Sequence, residues 1–117
     1  MEHAKLGLEL FVIASRPVVS LDDLRESLDK HLNYQYELEK KGVMFAAGPV
    51  VSEEDDGPSG RGLIIIRAGS FEEARAIADA DPFHANGLRQ YDIQRWSLNE
   101  GSLRLNISFS TKSVEVQ

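Results

Sequence analysis

The order in which hydrophobic periodicity changes along the chain constrains its fold more than any single motif. Residues 5–14 (Lys-Leu-Gly-Leu-Glu-Leu-Phe-Val-Ile-Ala) alternate and then run apolar, the pattern of a strand covered on at least one face. Arg16-Pro17 is expected to end it. Ser20 stands where an N-cap belongs, with Asp22 and Asp23 in the first turn, so a helix is expected to run to about Lys41 and stop at Gly42. Val43 to Val51 reads as a second strand, and Ser52 to Gly60 as an acidic, turn-rich loop. Gly62 to Ala68, with Leu63-Ile64-Ile65-Ile66, is a central strand. Ser70 and Glu73 form a capping box that opens a helix through about Ala80, with Phe71, Ala74, Ile77 and Ala78 facing inward. After Asp81-Pro82 and Asn86-Gly87, residues 88–98 alternate as a fourth strand. Ser102 to Phe109 and Lys112 to Gln117 read as a closing hairpin, with Leu103, Leu105, Ile107 and Phe109 on one face.

Strand, helix, strand, strand, helix, strand is the split βαβ order of an α+β ferredoxin-like fold, here with an added C-terminal β-hairpin. The 117 residues contain no long linker, so one domain over 1–117 is expected, with a core at about 5–98 and a hairpin extension at 101–117. A chain of this size buries about 65% of its unfolded surface, which makes pairing with a second copy an expected source of stability.

Charge and composition narrow the function. Thirteen basic against nineteen acidic side chains give a net charge of −6, which repels phosphate backbones and anionic lipid. Neither nucleic acid nor membrane is an expected partner. The chain has no cysteine, which removes thiolate nucleophiles, disulfides and thiolate metal sites. The first residues lack a signal-peptide pattern and no apolar run is long enough to span a bilayer, so a cytoplasmic location is expected. No phosphate loop, dinucleotide fingerprint, nucleophile elbow or metal-spaced histidine set occurs, and Glu53 to Asp56 lacks the alternation of a calcium loop. A metal or cofactor is therefore not expected, and a small molecule is the expected ligand.

Within the first helix Leu21, Leu24, Leu28, Leu32, Gln35 and Leu38 recur at steps of three and four. His31 borders this stripe, and a histidine on the sheet-facing side of a helix can shuttle protons near neutrality. Asp81 has two readings: the N-cap of the turn begun by Pro82, or a carboxylate that orients an imidazole. Tyr34, three residues after His31, is the best placed aromatic for a pocket. Tyr36, Phe83 and Trp96 could also line a pocket, although most such aromatics are expected to be core or interface packing. His84 reads as an exposed helix-end residue.

The run His31-Leu32, Gly42-Val-Met-Phe-Ala-Ala-Gly48-Pro49 and Gly62-Leu-Ile-Ile-Ile, followed by Ser70 to Ala80, Asp81-Pro82-Phe83, Gly87 and Arg95-Trp96, resembles the YCII-related family over roughly residues 8–97. The resemblance implies a ferredoxin-like domain that pairs into a dimeric α/β-barrel-like assembly. It also implies an active-site dyad that falls here on His31 and Asp81. One branch of that family dehydrochlorinates aromatic breakdown products, so the implied activity is a lyase or isomerase working by proton transfer without a cofactor on a small cyclic or aromatic metabolite. The alternative is a non-catalytic dimeric ligand-binding or accessory module of the same fold, and a third option is a cofactor-free monooxygenase. Two departures from the family pattern stand out: Arg61-Gly62 replaces a Gly-Ser before the third strand, which leaves Ser59 as the nearest hydroxyl, and Leu28 replaces an arginine three residues before the histidine.

Overall fold

A computed structural model gives the structure of residues 7–117. The elements run β1 (Leu8–Pro17), α1 (Leu21–Lys40), β2 (Met44–Pro49), β3 (Gly62–Ile66), α2 (Phe71–Asp79), α3 (Pro82–Ala85), β4 (Arg89–Leu98), β5 (Leu105–Ser108) and β6 (Ser113–Val116). The first four strands of this order that surround the helices form one antiparallel sheet in the order β2-β3-β1-β4. This mixed α+β architecture is compatible with the ferredoxin-like arrangement. Strands β5 and β6 form a separate two-stranded sheet.

The expected start of β1 at Lys5 and Leu6 lies outside the described residues, as does His3. At its other end β1 does not stop at Arg16: it continues through Pro17, which pairs with Arg89 of β4. Proline is tolerated there because the pairing is the last of the strand and asks for no interior ladder donor. The helix ends follow their caps. Ser20 Oγ accepts from the Asp23 N–H at 3.2 Å. Gly42, at φ +74°, closes α1 with two bonds, Gly42 N–H to the Glu39 carbonyl at 3.0 Å and Val43 N–H to the Leu38 carbonyl at 2.9 Å. These are the paired bonds of a Schellman cap, whose left-handed residue is best supplied by glycine.

One sheet face carries the core. Phe11, Ile13, Ile64 and Ile66 are buried with Ala74 and Ala78 of α2, whose small side chains let that helix sit close on the strands. The register puts Ile13, Ile64 and Ile93 side by side on this face. Val12, Ile65, Leu63 and Trp96 point to the other face, where Leu63 and Trp96 are exposed. The buried residues of α1 are Leu24, His31, Gln35 and Leu38, whereas Leu21 and Leu28 are exposed. The inward stripe is thus turned toward His31 relative to the leucine spacing, because α1 packs chiefly on α3 and β2. Among the described residues, no helix is long and apolar enough to cross a membrane.

Candidate active site

Two helices, α1 and α3, converge on Asp81. It precedes α3 as its N-cap, with Pro82 at the first helical position, and its Oδ1 accepts the Phe83 N–H at 2.9 Å. The same carboxylate accepts the His31 Nδ1–H at 2.9 Å on Oδ1 and 2.8 Å on Oδ2, and the Gln35 Nε2–H at 3.0 Å on Oδ2. The two readings of Asp81 are therefore compatible: an ionised carboxylate has lone pairs enough to cap a helix and hold an imidazole together. Asp81 is 1% exposed. Burial pushes its pKa up, but the hydrogen bond and charge of His31, the Phe83 N–H and the charge of His84 outweigh it and hold the pKa below the ordinary carboxylate value.

A carboxylate can only accept, so the proton of a neutral His31 sits on Nδ1. Its Nε2 then carries the free lone pair, and among the described residues it has no hydrogen-bond partner. The imidazole lies parallel to the Phe83 ring, with centroids 4.2 Å apart and planes 17° from one another. Hydrogen bond and stack together leave the ring little freedom to turn.

His31 borders a cavity of about 650 Å³ between α1, β2 and β3. Its walls are largely apolar, with Leu28, Leu32, Met44, Phe45 and Ile64 among them. The polar groups that reach it include His31, Gln35, Arg61 and Arg89, while the side chains of Tyr36 and Glu39 stand exposed at its border. A space of this size suits a small organic molecule. Among the described residues, no cluster of three or more potential metal ligands occurs.

The other residues expected at the site sit elsewhere. Tyr34 does not border this cavity; its hydroxyl donates to the Ile77 carbonyl at 2.5 Å and ties α1 to α2. Burial raises its pKa, with a further push from the Asp81 charge. Three residues along a helix turn the side chain by about −60°, and here that rotation is enough to send it to the neighbouring helix. Ser59 also lies off the cavity wall: its hydroxyl donates to the Val50 carbonyl at 2.5 Å and accepts the Arg61 N–H at 3.0 Å. Phe83 is 1% exposed and forms the platform under His31 instead of lining the cavity.

Gln35 and the two arginines complete the surroundings, and the sequence alone does not place them at the site. Gln35 was legible in principle, because it follows His31 by one helical turn within an otherwise leucine-rich stripe. Arg61 was visible as the residue replacing a family Gly-Ser. Arg89 gave no local signal; only the pairing of β4 with β1 brings it to the cavity.

His84 differs from its expected place. It is half-buried, its Nδ1–H donates to the Ala78 carbonyl at 2.7 Å, and its Nε2 accepts from the Ser15 hydroxyl at 2.7 Å. Burial lowers its pKa below the usual histidine value.

Comparison with known proteins bears on the family and the fold. A family model described as the YCII-related domain matches residues 10–97. No curated protein matches the chain. Among solved structures, the chain is similar to 5-chloro-2-hydroxyhydroquinone dehydrochlorinase (TftG) from Burkholderia phenoliruptrix AC1100 in complex with 2,5-dihydroxybenzoquinone. The two share 26% identity at a TM-score of 0.61, covering 74% of this chain and 92% of that one.

Proposed function

The chain belongs to the YCII-related domain family, and on that footing we propose that it is a small cofactor-independent lyase or isomerase in which His31 moves a proton and Asp81 orients it. The observation that carries this reading is the hydrogen bond from His31 Nδ1–H to the buried Asp81 carboxylate, with Nε2 left unpartnered beside a cavity. A carboxylate behind an imidazole fixes the tautomer and stabilises the imidazolium that forms when Nε2 takes a proton. Loss of HCl from a chlorinated hydroxylated ring needs one proton accepted and one chloride expelled, with no external oxidant or reductant. The similar solved structure has that activity in its name.

Chloride release from 5-chloro-2-hydroxyhydroquinone is the first assay, with solvent-deuterium uptake into the ring as the measure of isomerisation. Turnover by the wild-type protein that His31→Gln abolishes, with the fold retained, supports the reading; turnover equal in the two proteins overturns it.

The proposal extends to the assembly. We infer one domain over 1–117 whose hairpin and open sheet face meet a second copy. Leu63 and Trp96 are exposed on the sheet, and the hairpin exposes Leu105, Ile107, Phe109, Val114 and Val116, with Phe109 92% exposed. An isolated two-stranded hairpin is marginal in water, and a continuous exposed apolar patch marks an interaction surface. Sedimentation equilibrium should give a dimer that weakens when residues 101–117 are removed; a monomeric full-length chain contradicts this.

A further inference from the structure

Two arginines border the cavity, and they differ in what they touch. Arg61 is engaged: Nη2 donates to Asp55 Oδ2 at 2.5 Å and to Ser52 Oγ at 3.0 Å. Arg89 is not. No hydrogen bond or carboxylate within ion-pair distance meets its guanidinium among the described residues, and its Nε is fully buried without an acceptor. The guanidinium carbon stands 4.5 Å from the centroid of Phe83, the same ring that carries the His31 imidazole. Next to Arg89, a methyl built on Gly62 would lie 3.8 Å from Arg89 Nη1 and press on the Gly48 carbonyl oxygen at 3.3 Å.

A half-buried guanidinium carries five donors and a charge that cannot be given up by deprotonation. The buried Nε is the costly donor, since buried donors in folded proteins nearly always have partners, while the Nη donors, unbonded and not buried, remain open to an acceptor. The cation–π contact with Phe83 offsets part of that cost but satisfies no N–H. Gln35 presents a second unmatched group: Oε1 is buried with no donor, while Nε2 is held by Asp81. Asp81 itself is saturated by His31, Gln35 and Phe83, so it is no direct partner for Arg89. The Asp81 charge reaches Arg89 only through space, and Glu39, the carboxylate that borders the cavity, stands exposed and makes no ion pair with it among the described residues.

We infer that Arg89 is the anion-recognising residue of this cavity and that the molecule bound there carries a planar oxyanion, its charge shared between oxygens, which the guanidinium holds while His31 Nε2 faces the adjoining ring. This deepens the proton-transfer reading and rests on it for the identity of the site. Arg89 binds and orients. Two sources share the chemistry: the ionised hydroxyl of a quinoid ring, and a ring-borne carboxylate.

Calorimetric titration of wild-type protein, Arg89→Met, Arg89→Lys and His31→Gln tests this with four probes. These are 2,5-dihydroxybenzoquinone and its uncharged 2,5-dimethoxy analogue, and benzoate and uncharged benzamide. The inference expects wild type to prefer at least one anion over its neutral counterpart. Arg89→Met should weaken that anion at least tenfold and change the neutral probe less than threefold. Arg89→Lys should recover part of the loss, since charge is kept and the planar fork is not. The anion whose affinity falls identifies the source of the oxyanion. Equal binding of the anions by wild type and Arg89→Met overturns the inference, and so does an equal loss for charged and neutral probes. A wild type that binds neither anion also overturns it. Should Arg89→Met not fold, the Arg89 15Nε–H resonance of the wild-type protein, assigned by its disappearance in Arg89→Lys, must move on adding the anion and stay still on adding the neutral analogue. The result separates from the fate of the catalytic reading: Arg89-dependent anion binding with no turnover retains this inference alone, whereas His31-dependent turnover with Arg89-independent binding retains only the other.

Discussion

His31 and His84 lie on either side of the Asp81-Pro82-Phe83 turn, and their surroundings differ in one respect that matters for chemistry. Both rings are at least half-buried, and each donates its Nδ1–H to a protein oxygen, Asp81 in one case and the Ala78 carbonyl in the other. The Nε2 of His84 is taken by the Ser15 hydroxyl. The Nε2 of His31 has no hydrogen-bond partner among the described residues, and His31 borders the cavity. An imidazole with both nitrogens occupied joins elements together, as His84 joins α2, α3 and β1. One with a carboxylate behind it and an open nitrogen in front has the form of a general base. Burial depth does not separate the two; the partner of the second nitrogen does.

The largest effect is expected where that difference is removed. His31→Gln should lower turnover by about 10²–10⁴-fold, the usual contribution of a positioned acid–base group. His84→Gln should leave turnover within a factor of three. A comparable loss in both variants, measured by initial rates, would erase the contrast.

Stability should show a different ranking. Asp81→Ala strips the partner from His31 and Gln35 and removes the α3 cap, and should cost about 3 kcal/mol in denaturant unfolding. Asp81→Asn keeps a capping oxygen for Phe83 and should cost less, but its amide cannot accept from both Gln35 and His31 as the carboxylate does. His84→Ala should cost about 1–2 kcal/mol through the two hydrogen bonds it leaves unmade, without loss of catalysis.

The smallest effects are those of pH. The folded-state pKa of His84 lies below its unfolded value of 6.5, so its contribution is present above that value and is lost as pH falls through the folded pKa. The pKa of Asp81 is also depressed, from 3.8, so its contribution is lost only at lower pH, as the carboxylate becomes protonated in the folded protein. Unfolding free energy should therefore decline in two stages on acidification. His84→Gln should remove the first stage and leave the second.

Much of this was legible in the sequence, for identifiable reasons. The caps at Ser20 and Ser70, the glycine stop at Gly42 and the apolar run Leu63 to Ile66 are local signals, and local signals place elements. Asp81 was readable as a cap for the same reason, whereas its bond to His31, 50 residues away, depends on α1 docking against α3. Arg16-Pro17 was read as a strand end because a proline lacks a donor, and pairing with β4 carried the strand past it. Spacing alone puts Tyr34 at the pocket, whereas about 60° of rotation along the helix takes it to Ile77. Arg89 could not be found locally at all, since its position at the cavity follows from strand order.

The central claim is that His31 offers an unpartnered Nε2 to a ligand while His84 does not. A 15N-edited NMR spectrum of the imidazole nitrogens reads both residues in one sample, before and after adding 2,5-dihydroxybenzoquinone. The account predicts that each ring in its neutral form carries its proton on Nδ1, with ligand shifting the Nε2 of His31 and leaving that of His84 in place. A neutral His31 that carries its proton on Nε2 instead of Nδ1, or a ligand shift confined to His84, would contradict it.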